Sequence, residues 1–168
     1  MTEFVESLSG GLEEIGFDFT EEQLDKCQKY HDLLMEWNSK INLTAIKDQK
    51  EIAIKHFIDS IMCLKYVNIN SNENLIDVGS GAGFPGLPIK IFFPAIRLVL
   101  LDSLAKRCIF LEKIIDKLEL KDVSVVQGRA EDKGKDPEFR EKFALATARA
   151  VTNLPVLAEY CLPFLKIG

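Results

Sequence analysis

The stretch 74–88, Asn-Leu-Ile-Asp-Val-Gly-Ser-Gly-Ala-Gly-Phe-Pro-Gly-Leu-Pro, constrains the fold more than any other part of the chain. The short apolar run Leu75–Val78 predicts a buried strand that stops at Gly79. Glycines then alternate at Gly79, Gly81 and Gly83, and a helix is expected to start near Pro85. Alternating glycines at a strand end let the backbone turn sharply and let a ligand lie against bare peptide. In a βαβ unit such a turn sits at the carboxyl end of the strand, where ligands bind. The expectation is a nucleotide-type site in an α/β fold.

The remainder of the chain is compatible with one. Its 168 residues suffice for a domain with a real core, and a composition 47% hydrophobic and 28% charged is that of a soluble globular protein. Cys27, Cys63, Cys108 and Cys161 are widely spaced, with no C-x-x-C and only His31 and His56 to join them. They read as small apolar core residues in a reducing compartment, and no metal site is expected. The amino terminus has no basic lead or apolar signal core, and no apolar run approaches membrane-spanning length, so a cytoplasmic protein is expected. A net charge of −5 argues against indiscriminate coating of nucleic acid but leaves room for a local basic face.

Phe4, Val5, Leu8, Leu12 and Ile15 recur at helical spacing, with Gly10-Gly11 predicted to break the helix. Thr20 caps the next helix, with Gln23 placed for a capping box. Leu24, Cys27, Tyr30, Leu34, Trp37 and Ile41 form its buried stripe, and Asn38-Ser39 ends it. Asp48 and Glu51 mark another start, followed by an apolar face of Ile54, Phe57, Ile58, Ile61 and Leu64. Residues 1–68 therefore read as an N-terminal helical segment, and residues 69–168 as an alternating unit beyond the polar loop 68–74. Strands are predicted at Leu75–Val78, Arg97–Leu101, Val123–Val126 and Phe143–Ala148. The intervening helices are expected over Gly86–Phe93, along the stripe Leu104, Cys108, Leu111, Ile115 and Leu118, and as one turn from Asp136. Gly128–Lys135 reads as a charged loop, and a last helix opens at Asn153 with Leu154 and Pro155. The alternation implies a parallel sheet with helices on both faces.

The glycine turn can be tested against its possible ligands. A P-loop would end in Gly-Lys-Ser/Thr, which is absent. A dinucleotide fingerprint counted from Gly79 would place its third glycine at Phe84. Pro85 and Pro88 also remove N–H donors from the first helical turn, where a pyrophosphate would want them. The turn is better made for a nucleoside that carries a small tail and no phosphate, such as S-adenosylmethionine. D-x-G-x-G-x-G after a strand resembles the opening motif of Rossmann-like methyltransferases. An NAD- or FAD-dependent oxidoreductase is the alternative that Phe84 counts against. About twenty residues on, Asp102 closes the second strand, where a carboxylate either accepts the ribose hydroxyls or caps the helix at Leu104. Ala130 and Glu131 follow the third strand, as readers of an adenine edge or as a solvated loop. Arg149 ends the fourth strand, beside the transfer site or in a salt bridge to Glu131 or Asp102.

These residues fall into a recognisable series: Ile41-Asn42-Leu43-Thr44-Ala45-Ile46, His56-Phe57-Ile58-Asp59-Ser60, Asp77 to Gly86, Lys106-Arg107 with Phe110-Leu111, Gly128-Arg129-Ala130-Glu131, and Ala148-Arg149-Ala150. Over essentially its whole length the chain resembles the bacterial 16S ribosomal RNA guanine-N7 methyltransferase family, RsmG or glucose-inhibited division protein B. The resemblance implies a Rossmann-like methyltransferase fold, S-adenosylmethionine as donor, and a guanine in small-subunit 16S rRNA as acceptor. It implies cofactor contacts at Gly79, Gly81, Phe84, Asp102, Ser103, Leu104, Ala130, Glu131 and Arg149. Family members continue with further strands, so the last strands of the sheet are expected to lie beyond Gly168. A monomer is expected. A non-catalytic ribosome- or nucleotide-binding module remains the alternative from another class.

Guanine N7 carries an in-plane lone pair, so its methylation needs no proton removed from the nucleophile. No general base is therefore expected, and His31 and His56 lie outside the core motifs. Arg149 is the expected catalytic residue, orienting the guanine or its phosphate. Asn42, His56, Lys106 and Arg107, with Lys40, Lys47 and Lys55, are candidates for RNA contact. Each lysine could equally be a solvated face, Asn42 and His56 could be helix-junction hydrogen bonders, and Phe84 either stacks on a base or packs in the core.

Overall fold

The structure, a computed structural model, describes residues 1–67 and 72–167. Four parallel strands form one sheet in the order β3-β2-β1-β4: β1 (Asn74–Val78), β2 (Arg97–Asp102), β3 (Val123–Gln127) and β4 (Leu145–Thr147). The expected boundary at 68/69 and the first part of the polar loop lie outside the described residues. With β1 in the middle, the strand order reverses beside it, at the point where open parallel sheets bind ligands.

Two apolar layers sandwich the sheet. On one face Leu75, Leu98 and Leu100 pack against α5 (Gly86–Phe92), α6 (Ala105–Lys117) and the amino-terminal helices α1 (Glu3–Glu14) and α2 (Glu21–Asn38). On the other, Ile76, Val78 and Leu101 meet Phe139, Phe143 and Phe164, with Tyr160 and Cys161 of α8 (Leu154–Cys161) packed alongside. The period-two alternation along each strand thus splits its side chains between two cores. Buried Lys90 closes the α5–β2 turn by donating to the carbonyls of Pro94 and Ile96.

The caps follow the sequence. Thr20 and Gln23 form a capping box on α2, Asp48 accepts from Glu51 N–H at 2.9 Å, and Asn153 accepts from Val156 N–H at 3.3 Å. Several elements differ from expectation. α1 runs unbroken through Gly10-Gly11; Gly11 is not a break but the place where the Ile58 side chain lies against the helix, and a Cβ there would collide with its Cδ1. Between α3 (Gln49–Ile52) and α4 (Asp59–Met62) the chain forms a π-helix, Ala53–Ile58. Its wider turn rotates the predicted face, burying Ile52 and Ala53 and leaving Ile54 44% exposed. The predicted charged loop holds a short helix, α7 (Ala130–Lys133). β4 is shorter than predicted because Phe143 bridges to Leu165, bonding Phe164 O and Lys166 N instead of continuing along β1. Cys63 is exposed and Cys161 only partly covered, so only Cys27 and Cys108 are the buried residues expected. Among the described residues no helix is long and apolar enough to cross a membrane, and no group of three His, Cys, Asp or Glu is placed to hold a metal.

Candidate functional site

The glycine turn is built as its sequence requires. Gly79, Gly81 and Gly83 all have positive φ (+70°, +59° and +97°), a region open to glycine at little cost. Backbone bonds from Gly79 N and Ser80 N to Leu101 O, at 2.7 and 3.0 Å, tie the turn to the end of β2. Gly81 N–H then donates to Asp102 Oδ2 at 2.8 Å. Beneath the turn lies buried Asp77, which accepts from Thr147 Oγ1 (2.9 Å) and Gly86 N–H (3.2 Å) and so joins β1, β4 and α5. Burial pushes its carboxyl up to about 6. The close helix–strand approach expected of a third glycine falls to Gly86, where a Cβ would stand 2.8 Å from Leu100 Cδ2 and 2.9 Å from Asp77 Oδ2.

Two cavities meet at Gly79. The first, about 170 Å³, is lined by Gly79, Asp102, Ser103, Ala130 and Glu131, together with Val151 and Tyr160 from the segment after β4. Of its acceptors, Asp102 ends β2 and Glu131 stands in α7, just after the adjacent β3. Asp102 is buried; its Oδ1 takes Leu104 N–H at 2.9 Å, and Arg107 Nη1 lies 3.7 Å from its Oδ2. The carboxylate therefore anchors both the glycine turn and the entry to α6, and each oxygen keeps a further lone pair. Hydrogen bonds from its own backbone N–H and from Tyr160 hold the Glu131 carboxyl below its usual range. Leu104 lines neither cavity; it is 52% exposed and contributes its backbone N–H to Asp102.

The second cavity, about 360 Å³, is lined by Gly79 to Ala82, Phe84, Arg107, Arg149, Ala150 and, from the helical segment, Leu43, Lys55, His56 and Asp59. Arg149 joins the two halves. Its Nη1 donates to Lys55 O and Asp59 Oδ2, both at 3.0 Å, and its Nη2 to His56 Nδ1 at 3.0 Å. Its salt-bridge partner is thus Asp59, not the expected Glu131 or Asp102. The π-helix makes this possible: Asp59 N–H reaches back five residues to Ile54 O, and the carbonyl of Lys55 is presented to the guanidinium.

His56 lies inside this site although it stands outside the core sequence motifs, and its bonds to Thr44 and Arg149 are those of the junction hydrogen bonder the sequence allowed. Arginine can only donate, so Nδ1 is the acceptor and Nε2–H donates to Thr44 Oγ1 at 2.8 Å. Burial, then the Arg149 charge, lowers its pKa to about 4. The ring is neutral with its lone pair occupied, which leaves nothing to accept a substrate proton. Phe84 is sandwiched: His56 stacks on it at 4.7 Å and Tyr30 at 5.1 Å. Phe84 is buried, with Arg149 also over its ring at 5.3 Å, so it packs in the core as a wall of the site.

The remaining candidates scatter. Asn42 and Lys106 are exposed and line neither cavity. The junction bonding foreseen for Asn42 belongs to Asn38, whose Oδ1 accepts from Leu43 N and Thr44 N. Lys40 pairs with Glu36 and lies over Trp37, and Lys47 is exposed. Sequence reasoning misses Asp59, Tyr30, Tyr160 and Val151. Asp59 carries a signal, standing three residues after His56 on one helical stretch, whereas Tyr160 and Val151 reach the site through chain folding that leaves no local pattern.

The family model described as rRNA small subunit methyltransferase G (GidB) matches residues 23–168. The chain belongs to this family. Ribosomal RNA small subunit methyltransferase G of Acetivibrio thermocellus is 55% identical over 158 residues, covering 94% of this chain and 65% of the relative. The Desulforamulus reducens protein of the same name is 50% identical over 167 residues, covering 99% and 70%. The chain therefore spans about two thirds of the length of these relatives. Among solved structures, the O-methyltransferase from Bacillus cereus in complex with SAH superposes with a TM-score of 0.63 at 21% identity, covering 84% of this chain and 63% of that one. A SAM-dependent methyltransferase from Aquifex aeolicus gives 0.53 at 19% identity, covering 71% and 63%. These two share the fold: a parallel sheet flanked by helices, here preceded by helices on one face.

Proposed function

We propose that the chain transfers a methyl group from S-adenosylmethionine to N7 of a guanine in the 16S rRNA of the small ribosomal subunit. Its membership of the methyltransferase G family supports this, and the character of the first cavity carries it. Asp102 at the end of β2 and Glu131 in α7, just beyond β3, offer acceptors. α5 opens with Pro85 before it and Pro88 inside it, so its first turn offers few donors to a phosphate. Paired carboxylates beside a donor-poor turn suit ribose hydroxyls and an amino-bearing base, and repel a diphosphate.

Gly79, Gly81, Asp102, Ser103, Ala130 and Glu131 would hold the nucleoside, with the backbone of Leu104 fixing Asp102 and with Phe84 and Arg149 forming the far wall. When bound, the cofactor supplies an electrophilic sulfonium methyl. The acceptor nitrogen brings its own lone pair, so the protein's task is alignment and no residue needs to take a proton. Arg149, held by contacts to Lys55, His56 and Asp59, orients the acceptor nucleotide; Arg107 at the same cavity meets its phosphates.

Calorimetric titration with S-adenosylmethionine, followed by methyl transfer to small-subunit RNA, tests the assignment. Arg149→Ala should lower kcat about 100-fold, the scale of a misplaced reacting group, with less than about threefold change in cofactor Kd. Equal losses in both would make Arg149 a plain cofactor ligand. Binding without transfer would leave a binding module.

A further inference from the structure

The second cavity presents basic groups at Arg107 and Arg149, as expected where RNA approaches; Lys55 lines it as well, with its Nζ paired to Glu51 at 2.6 Å. Among its lining residues Asp59 supplies the one carboxylate, and its side chain is 61% exposed at the rim. A carboxylate facing an incoming polyanion opposes binding unless the substrate donates protons to it. Arg149 occupies Oδ2 at 3.0 Å; Oδ1 has no partner among the described residues. Arg149 is itself fixed by Lys55 O and His56, so the carboxylate is held in place with one oxygen turned free.

We propose that Asp59 reads the acceptor base as guanine, by accepting its N1–H and 2-amino group. The proposal rests on the guanine methyl transfer put forward above. Guanine alone among the four bases carries N–H donors at adjacent positions of its Watson–Crick edge. Adenine and cytosine place an acceptor beside their amino group, and uracil flanks a single donor with carbonyls, so a fixed carboxylate repels all three. N7 lies on the other side of the purine from N1 and the 2-amino group. A guanine held at the rim by Asp59 therefore directs N7 inward, where Gly79 to Ala82 line the cavity. Recognition through the Watson–Crick edge requires the base to be unpaired, as in a splayed loop nucleotide. Asp59 is a specificity residue and Arg149 its positioning partner.

The test compares small-subunit RNA carrying guanosine or a single ligated inosine at the acceptor position. Inosine keeps N7 and N1–H and lacks the 2-amino group. The wild-type chain should favour guanosine by about 10- to 100-fold in kcat/KM, the cost of leaving a charged acceptor half satisfied. Asp59→Asn and Asp59→Ala should lower transfer to guanosine and bring the guanosine-to-inosine ratio within about threefold of one, with cofactor Kd within about twofold of wild type. If the variants lose activity on both RNAs while keeping the wild-type ratio, Asp59 only steadies Arg149 and the proposal is wrong. If the wild-type chain methylates neither RNA, the proposed function fails and this inference with it.

Discussion

His56 and Asp77 both feel the charge of Arg149, and their protonation pulls stability in opposite directions across the same acidic range. The unfolded chain protonates a histidine near its ordinary 6.5, whereas folded His56 resists to about 4. Its contribution is fully present above about pH 6.5 and is lost as pH falls toward 4. The full shift would be worth about 3 kcal/mol; part of the ring faces solvent, which reduces this to about 1–2 kcal/mol. Asp77 runs the other way. Raised by burial to about 6, it binds its proton more tightly folded than unfolded, so it costs stability as pH climbs from about 4 to 6. The opposed slopes flatten the wild-type profile. His56→Gln removes one of them. Urea unfolding at about pH 4.5 and pH 6.5 should show the variant's stability falling with rising pH relative to wild type, by about 1–2 kcal/mol. Parallel profiles would mean that His56 titrates as a free histidine does.

At the scale of elements, three helical glycines separate conformational freedom from packing need. At Gly10 an added Cβ would meet nothing within 4 Å, so Gly10→Ala should stabilise α1 by about 0.5–1 kcal/mol. Gly11→Ala brings the same propensity gain but meets Ile58 Cδ1, so its melting temperature should fall below that of Gly10→Ala. Gly86→Ala should cost about 1–3 kcal/mol, because its methyl would strike Asp77 and Leu100 where α5 meets the sheet. Thermal unfolding of the three variants gives the order; a stabilising Gly86→Ala would show that α5 can retreat from β1 freely. The same glycines show what sequence can reveal. The turn at Gly79 to Gly83 is legible because alternating glycines after a buried strand have few other uses. Gly10-Gly11 reads as a break and is none, since a glycine required by a neighbouring helix looks the same as one that ends its own. The π-helix escapes for a related reason: one wider turn shifts an apolar face by less than a periodic pattern resolves. His56 and Asp59 meet Arg149 across 93 and 90 residues, and only the packing of the helical segment beside β4 brings them together.

For the molecule as a whole, the question is whether the helical segment is an appendage or part of the folding unit. One buried cluster runs from Phe4, Leu8 and Leu12 of α1 through Tyr30 and Phe57 to Leu75, Leu98 and Leu100 of the sheet and Phe110 and Ile114 of α6. Tyr30 also donates to Ala82 O, so a helix of the amino-terminal segment holds the glycine turn from behind. Gly83 is confined by the same contact, since a Cβ there would stand 2.6 Å from the Tyr30 hydroxyl. Exposing either half would uncover the apolar face of the other, at about 25 cal/mol for each Å². The two should therefore unfold together. Trp37 is the chain's one tryptophan; it sits on α2 and packs at 5.7 Å against Phe110 of α6. Its fluorescence reports the contact between segment and sheet layer, while far-ultraviolet circular dichroism reports helices throughout. In urea the two transitions should coincide, with equal midpoints and slopes. A fluorescence change that precedes the loss of ellipticity would show the segment detaching first. It would also place Lys55, His56 and Asp59 on a part able to leave Arg149 while the sheet stays folded.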